Sequence, residues 1–339
     1  MTTRRRILLL AAILVLALAG AGGYVGNARR SQARTLAGAP AVATGGDLAT
    51  VRAQPHVVFR STALGDGYGR VALVPLSAPS GPRVLTAGSC ERVYATAGAA
   101  ICLSADRGLV TTYRAQLLDS AGAATRDLPL TGLPSRTRLS RDGSLVATTT
   151  FVYGDSYTNP GQFSTRTVVT RTNGTVVGDL EKFPLTVDGR ILTAADKNLW
   201  GVTFADDDRF YATAASGRRT WLVQGSLSHH TVTALRGDVE CPALSPDGSR
   251  IAFKKHGDRP AGQWRLAVYD LRTGRETVLA ETRSVDDQAE WLDDATVAYG
   301  VPRTAGSGAA TSDVWRVPAD GTGSPQVFIP DAWSPAVVR

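Results

Sequence analysis

Three cysteines, one methionine and four histidines among 339 residues leave no material for a Cys/His metal framework or for a scaffold stapled by several disulfides. Acidic residues are missing from the first 46 positions, whose charge comes from six arginines: Arg4, Arg5, Arg6, Arg29, Arg30 and Arg34. Those six account for all but one of the net +7, so the stretch from Asp47 onward is nearly neutral. That balance argues against a nucleic-acid partner, because phosphate binding needs a basic face on the folded domain itself. Amphipathic helical periodicity is also missing after about His56. What the chain does have is 43% hydrophobic residues against 20% charged ones, enough to bury a core. Its 35 glycines and 17 prolines, set among Val, Thr, Leu and Ala, predict many short strands separated by turns.

The N-terminus has the layout of an export segment. Arg4-Arg5-Arg6 precede an apolar run from Ile7 to Ala19, and small residues with Tyr24 and Val25 carry it on to Gly26. The triplet Ala17-Leu18-Ala19 suits signal cleavage. The 20 residues 7–26 also suffice to span a bilayer uncleaved, so both a signal peptide and an anchor remain open for residues 1–26. No cysteine follows the run, which excludes a lipid-modified thiol there. Residues 27–53, aperiodic and rich in Ala, Gly, Thr, Arg and Gln, are expected to be a flexible linker. Either route places the rest outside the cytoplasm, tethered to the membrane or secreted.

From residue 54 to 339 the sequence repeats. Apolar strands followed by a turn recur at Ser80-Gly81, Ala121-Gly122, Asn173-Gly174, Ser228-His229, Thr273-Gly274 and Asp320-Gly321, with 41, 52, 55, 45 and 47 residues between successive turns. A second set of turns interleaves at Ala97-Gly98, Asp142-Gly143, Asp206-Asp207-Asp208, Pro246-Asp247-Gly248 and Asp293-Asp294. Two turns per repeat imply four strands per repeat, and six such sheets arranged radially make an all-β, six-bladed propeller.

Leu244-Ser245-Pro246-Asp247-Gly248-Ser249-Arg250-Ile251-Ala252-Phe253 resembles the repeat of TolB-type (WD40-like, PD40) propellers, and Asp313 to Gly323 resembles the outer hairpin of the same repeat. Leu139 to Gly143 and Trp333-Ser334-Pro335 are partial copies. The resemblance implies a six-bladed propeller without the N-terminal α/β domain of TolB, for which the stretch before His56 is too short; it implies no lipoprotein partner. Ala332 to Val338 reads as the first strand of a repeat that then stops, and His56 to Arg60 as the second strand of a repeat lacking its first. The two are expected to share one blade.

Cys90 and Cys102 flank a hairpin centred on Thr96, which sets them opposite one another within disulfide reach. Cys241 is then unpaired and expected to be a buried small apolar group. His229-His230 falls in a predicted turn without carboxylate company, so a turn is favoured over a metal site. The acidic groups 206–208, 286–287 and 293–294 lack calcium-loop spacing and are read as turn residues. Gly65-Asp66-Gly67-Tyr68-Gly69 is read as a mobile hairpin tip, Asn173-Gly174 as a hairpin turn, and the tryptophans as packing between blades.

No Gly-x-Ser-x-Gly elbow occurs, and no catalytic, cofactor-binding or metal residue stands out. The expectation is a monomeric, non-enzymatic binding scaffold of the bacterial envelope, with an envelope protein or glycan as partner and no cofactor. The alternative is a lyase- or glycosidase-type enzyme whose residues converge on the central channel, which requires inward carboxylates or histidines near one mouth.

Overall fold

The computed structural model describes residues 3–37, 42–108, 110–152, 164–303 and 310–339. The first element is a helix, Thr3–Ala37, exposed throughout its described apolar stretch and long and apolar enough to cross a membrane, a test that a signal sequence also passes. At 1.5 Å per residue its 35 residues extend about 52 Å. The helix continues past Gly26 because Ala28 to Ala37 contains no glycine or proline and several good helix formers, although the composition suggested a linker. Residues 38–41 lie outside the described residues. Beyond them the supposed linker docks on the propeller: Thr44 bridges Arg83, and Asp47 caps the short helix Leu48–Arg52 by accepting from the Thr50 amide at 2.8 Å. Val51 on that helix is buried with Val58, Val71, Leu73 and Val84.

Six sheets follow, antiparallel but for one pairing in blade 4. Blade 1 combines Ala332–Val338 with His56–Ser61, Arg70–Pro75 and Val84–Ser89. Blade 2 is Arg92–Ala95, Ala100–Arg107, Thr111–Leu118 and Ala124–Leu128; blade 3 is Leu133–Leu139, Leu145–Val152, Ser164–Arg171 and Val176–Asp179. Blade 4 is Asn198–Phe204, Arg209–Ser216, Arg219–Ser226 and Thr231–Gly237, widened by Leu185–Val187, which pairs in parallel with the outer strand, and by Arg190–Ile191. Blade 5 is Glu240–Leu244, Arg250–Lys255, Arg265–Asp270 and Glu276–Val278; blade 6 is Glu290–Trp291, Thr296–Arg303, Thr311–Pro318 and Gln326–Ile329. The widened blade 4 accounts for the 55-residue interval between turns. The shared blade 1 forms as the sequence predicted, with Val57 opposite Val337 and His56 opposite Val338.

The apolar core is divided into six wedges, one between each pair of neighbouring blades. The turns between first and second strands repeat in atomic detail. In blade 5 the Ser245 hydroxyl donates to Asp247 and accepts from the Arg250 amide at 3.0 Å, while Asp247 accepts from the Ser249 amide at 3.0 Å. In blade 3 Ser140, Asp142, Ser144 and Leu145 make the same three bonds. The glycine in each turn has positive φ, +73° at Gly248 and +75° at Gly143, where a side chain would be strained. Burial alone would raise the Asp247 pKa, but Ser245, Ser249 and Arg250 together hold it at about 2. The Ser-x-Asp-Gly-Ser pattern is therefore a hydrogen-bonded turn, stated in sequence.

Cys90 and Cys102 are bridged, with their Cα atoms 5.5 Å apart. The register differs from the expected one. Cys102 lies opposite Val93, because the hairpin centre falls between Ala97 and Gly98, and Cys90 sits in the link from blade 1 to blade 2. The bridge thus ties that link to the second strand of blade 2. Cys241 is free and buried. The segment 65–69, expected as a mobile tip, is pinned by the Tyr68 hydroxyl, which donates to the Ala310 carbonyl at 2.8 Å.

Replacing Cys90 and Cys102 by Ala is expected to cost about 3 kcal/mol, read as a lower unfolding midpoint in urea, and alkylation of the urea-unfolded chain without reductant should label one thiol only. His56, 3% exposed in the closing blade, has its Nδ1 against the Gln54 carbonyl at 2.8 Å and no partner for Nε2 among the described residues. Burial holds its pKa below the ordinary 6.5. The unfolded chain then binds more protons than the folded one as pH falls through 6.5, so stability should drop with acidification over that window, and His56→Phe should flatten the drop in a series of denaturation curves.

Candidate functional site

Charged side chains collect along the axis, on and just before the first strands of the blades. Those strands are irregular in the same way. Register breaks occur between Pro134 and Arg136, Trp200 and Thr203, and Glu240 and Ala243, and opposite Val58 to Arg60 in blade 1. Gly201, Cys241 and Ser334 take positive φ at these breaks. A bulge leaves a residue unpaired and re-aims its neighbours, here toward the channel. At Gly201 the turn must be glycine, since a Cβ would lie 2.7 Å from the Cys241 Cα.

Glu290, at the start of the first strand of blade 6, is the hub. Its carboxylate pairs with Arg138 of blade 3, accepts from the Val337 amide of blade 1 at 3.2 Å, and accepts from the Tyr94 hydroxyl of blade 2 at 3.4 Å. The Arg138 guanidinium also donates to the Ala289 carbonyl and stacks 4.4 Å from the Tyr94 ring. Three residues upstream, Asp287 accepts from Arg92 at 2.8 Å and from the Gly300 amide at 3.0 Å. Gln288 donates from one amide nitrogen to Val202 of blade 4 at 3.1 Å and to Pro242 of blade 5 at 2.9 Å. All six blades are thereby tied across the axis.

Nearer the mouth, Lys254 donates to Asp286 at 2.6 Å, and Arg136 stands 3.6 Å from the same carboxylate. Glu240 accepts from the Trp264 indole at 2.9 Å, lies 3.1 Å from His256 Nε2 and 3.7 Å from Lys254. The arrangement is polar in the electrical sense. Blades 2 and 3 supply Arg92, Arg136 and Arg138; blade 5, blade 6 and the link between them supply Glu240, Asp286, Asp287 and Glu290, with Lys254 among them. Lys254, Arg136 and Arg92 hold the Asp286 pKa below the usual carboxylate value. Burial pushes the Tyr94 phenol up to about 12. Among the described residues no group of three or more His, Cys, Asp or Glu stands close enough to hold a metal ion.

Asp286 and Asp287, read from sequence as turn residues, are therefore channel carboxylates, whereas Asp206, Asp208 and Asp293 do hold turn amides. His229 and His230 lie in a turn, His229 Nδ1 2.9 Å from the Ser226 hydroxyl and His230 at φ +52°. Trp291 packs across a blade boundary and donates to the Ala243 carbonyl at 2.8 Å; Trp333 lies between Arg92 and Gly300, where any side chain would strike its ring.

No protein-family model matches the chain, and no curated protein matches its sequence. Solved structures do resemble it. TolB from Acinetobacter baumannii aligns with a TM-score of 0.53 at 16% identity, over 90% of this chain and 69% of that one. A puromycin-hydrolysing peptidase from Mycobacterium tuberculosis aligns with a TM-score of 0.49 at 17% identity, over 81% of this chain and 43% of that one. At such identities the likeness is one of fold: this is a six-bladed propeller of the kind found in TolB.

Arg138 and Glu290 expose only 7% and 10% of their side chains. Glu290→Leu should therefore cost about 3–5 kcal/mol by stranding the guanidinium, and adding Arg138→Met should recover most of that loss in urea denaturation.

Proposed function

We propose that the chain is an exported or membrane-tethered propeller that binds another envelope protein at the mouth of its channel and catalyses nothing. The observation that carries this reading is the filling of the channel. Each of Glu240, Asp286, Asp287 and Glu290 is engaged by a cation, an indole or a backbone amide, and the space left among Arg92, Tyr94, Arg136, Arg138, Asp287 and Gln288 is about 20 Å³, room for one water-sized occupant. That space is too small for a substrate. The mouth remains available, with Asp286 62% exposed and His256 and Trp264 beside it. The apolar N-terminal helix supports placement at or beyond a membrane, and the TolB-like fold supports a scaffold.

One observation favours the enzymatic alternative. His256 and Glu240 at 3.1 Å have the arrangement of a base and the carboxylate that orients it.

The test is capture of envelope proteins on the immobilised full chain in detergent. Asp286→Lys should lower recovery of a specific partner at least tenfold, while Arg275→Glu, on the turn side of blade 5, should leave it unchanged. Equal recovery by all three chains overturns the mouth as the binding face. A hydrolase or lyase activity lost in His256→Ala overturns the non-catalytic reading.

A further inference from the structure

Residues 27–37 continue the helix Thr3–Ala37 beyond the apolar run that ends at Gly26. They carry Arg29, Arg30 and Arg34, all exposed. No acidic residue precedes Asp47, so no carboxylate lies one turn away on the helix to neutralise them, and among the described residues none of the three is ion-paired. At 3.6 residues per turn the three positions fall within an arc of about 140°, with Arg30 and Arg34 one turn apart on the same stripe. The helix therefore ends in a basic face that the protein leaves unpartnered.

Height along the helix points to what covers this face. Arg6 and Arg29, the charges nearest the apolar run on either side, are 23 positions apart, which is about 35 Å along the axis. A hydrocarbon core of about 30 Å fits between them and leaves each at the level of the lipid phosphates. Side chains on a helix lean toward its N-terminus. Arg29, Arg30 and Arg34 thus lean back toward the bilayer, as long cationic side chains do when they snorkel to the interface, whereas Arg4, Arg5 and Arg6 lean away from it. Three arginines on each side also forgo the cytoplasmic excess that usually marks a membrane helix. Cations kept on the propeller's side match an anionic surface there, and a guanidinium grips a phosphate through two parallel hydrogen bonds. The stretch from Asp47 onward is nearly neutral, so the propeller itself does not compete for that surface.

We propose that Arg29, Arg30 and Arg34 bind the phosphate headgroups of anionic phospholipids in the leaflet on the propeller's side of the membrane. The inference rests on the tethered form of the function proposed above, and not on docking at the channel mouth. Its consequence is a short tether. The Ala43 carbonyl is held by the Arg83 amide of blade 1 at 3.0 Å, and the chain from Ala37 to Ala43 extends at most about 22 Å. A helix gripped at the headgroups sets the height from which that tether begins.

Phosphatidylglycerol and phosphatidylcholine with the same acyl chains are the probes. The full chain, immobilised in neutral detergent, is equilibrated with an equimolar mixture of the two and washed, and the retained lipid is quantified by mass spectrometry. Phosphatidylglycerol should exceed phosphatidylcholine by about fivefold or more. The triple variant Arg29→Gln, Arg30→Gln, Arg34→Gln, which keeps a good helix former at each position, should bring the ratio close to one. The triple variant Arg4→Gln, Arg5→Gln, Arg6→Gln should keep most of the preference. Inorganic phosphate, exchanged for chloride at equal ionic strength, should leave the lipid bound. Equal retention of the two lipids, a preference unchanged in the first triple variant or lost in the second, or displacement by inorganic phosphate would each overturn the proposal. An intact mass beginning after Ala19 in the chain isolated from cells overturns it together with the tethered form, and leaves docking at the mouth to its own test.

Discussion

The pairing of Ala332–Val338 with His56–Ser61 is the constraint on which the rest of the molecule depends. It completes blade 1, and it also delivers side chains to the axis that no other segment supplies. Ser334 donates to the Val93 carbonyl at 2.8 Å and accepts from the Val93 amide at 3.3 Å, tying blade 1 to blade 2. Trp333 stacks under Arg92 at 4.7 Å, and the Val337 amide feeds Glu290. On the far side, Arg83 donates to the carbonyls of Pro330 and Asp331 at 2.8 Å each and so fastens the incoming strand to the outer edge of the same blade. The joint is therefore held from both ends of its sheet.

Two kinds of interior coexist. Between the blades, six apolar wedges gain stability from area removed from water, and no single contact dominates them. Along the axis the interior is charged, and its ion pairs return little net energy because each had to be dehydrated. What the axial lattice provides is uniqueness of geometry. Glu290 accepts from three different blades and Gln288 reaches two more, so the angular position of each blade is fixed by directional bonds that apolar packing does not supply. The separation of arginines on one wall from carboxylates on the other gives the channel a field across its width.

The repeat was legible because its turns are written in local chemistry. Ser245-Pro246-Asp247-Gly248-Ser249 can fold only a few ways, and its bonds recur around Asp142. Blade number, turn positions and the shared blade all followed from that periodicity. The disulfide was legible as a pairing but not as a register, since two cysteines twelve apart tolerate a hairpin centre shifted by more than a residue. The axial site was not legible, because its members come from blades far apart in sequence and meet only when the ring is closed. Asp286 and Asp287 look like any acidic turn until Lys254 and Arg92 are seen opposite them. Residues 42–53 misled for the converse reason. Their composition is that of a spacer, but one capped turn and one valine suffice to dock them.

The shared blade also imposes an order on synthesis. The ring closes only when residues 332–338 reach their partners in residues 56–61. The Cys90–Cys102 bridge and the wedges between blades 2 to 6 join segments near in sequence and are free to form as the chain emerges. Until the end arrives, His56–Ser61 presents a bare strand edge beside an unfilled axis, the kind of surface that pairs with the wrong neighbour. The interval between making residue 61 and residue 332 is thus a window of vulnerability, and a chaperone that shields a single β-edge would be of most use to this chain there.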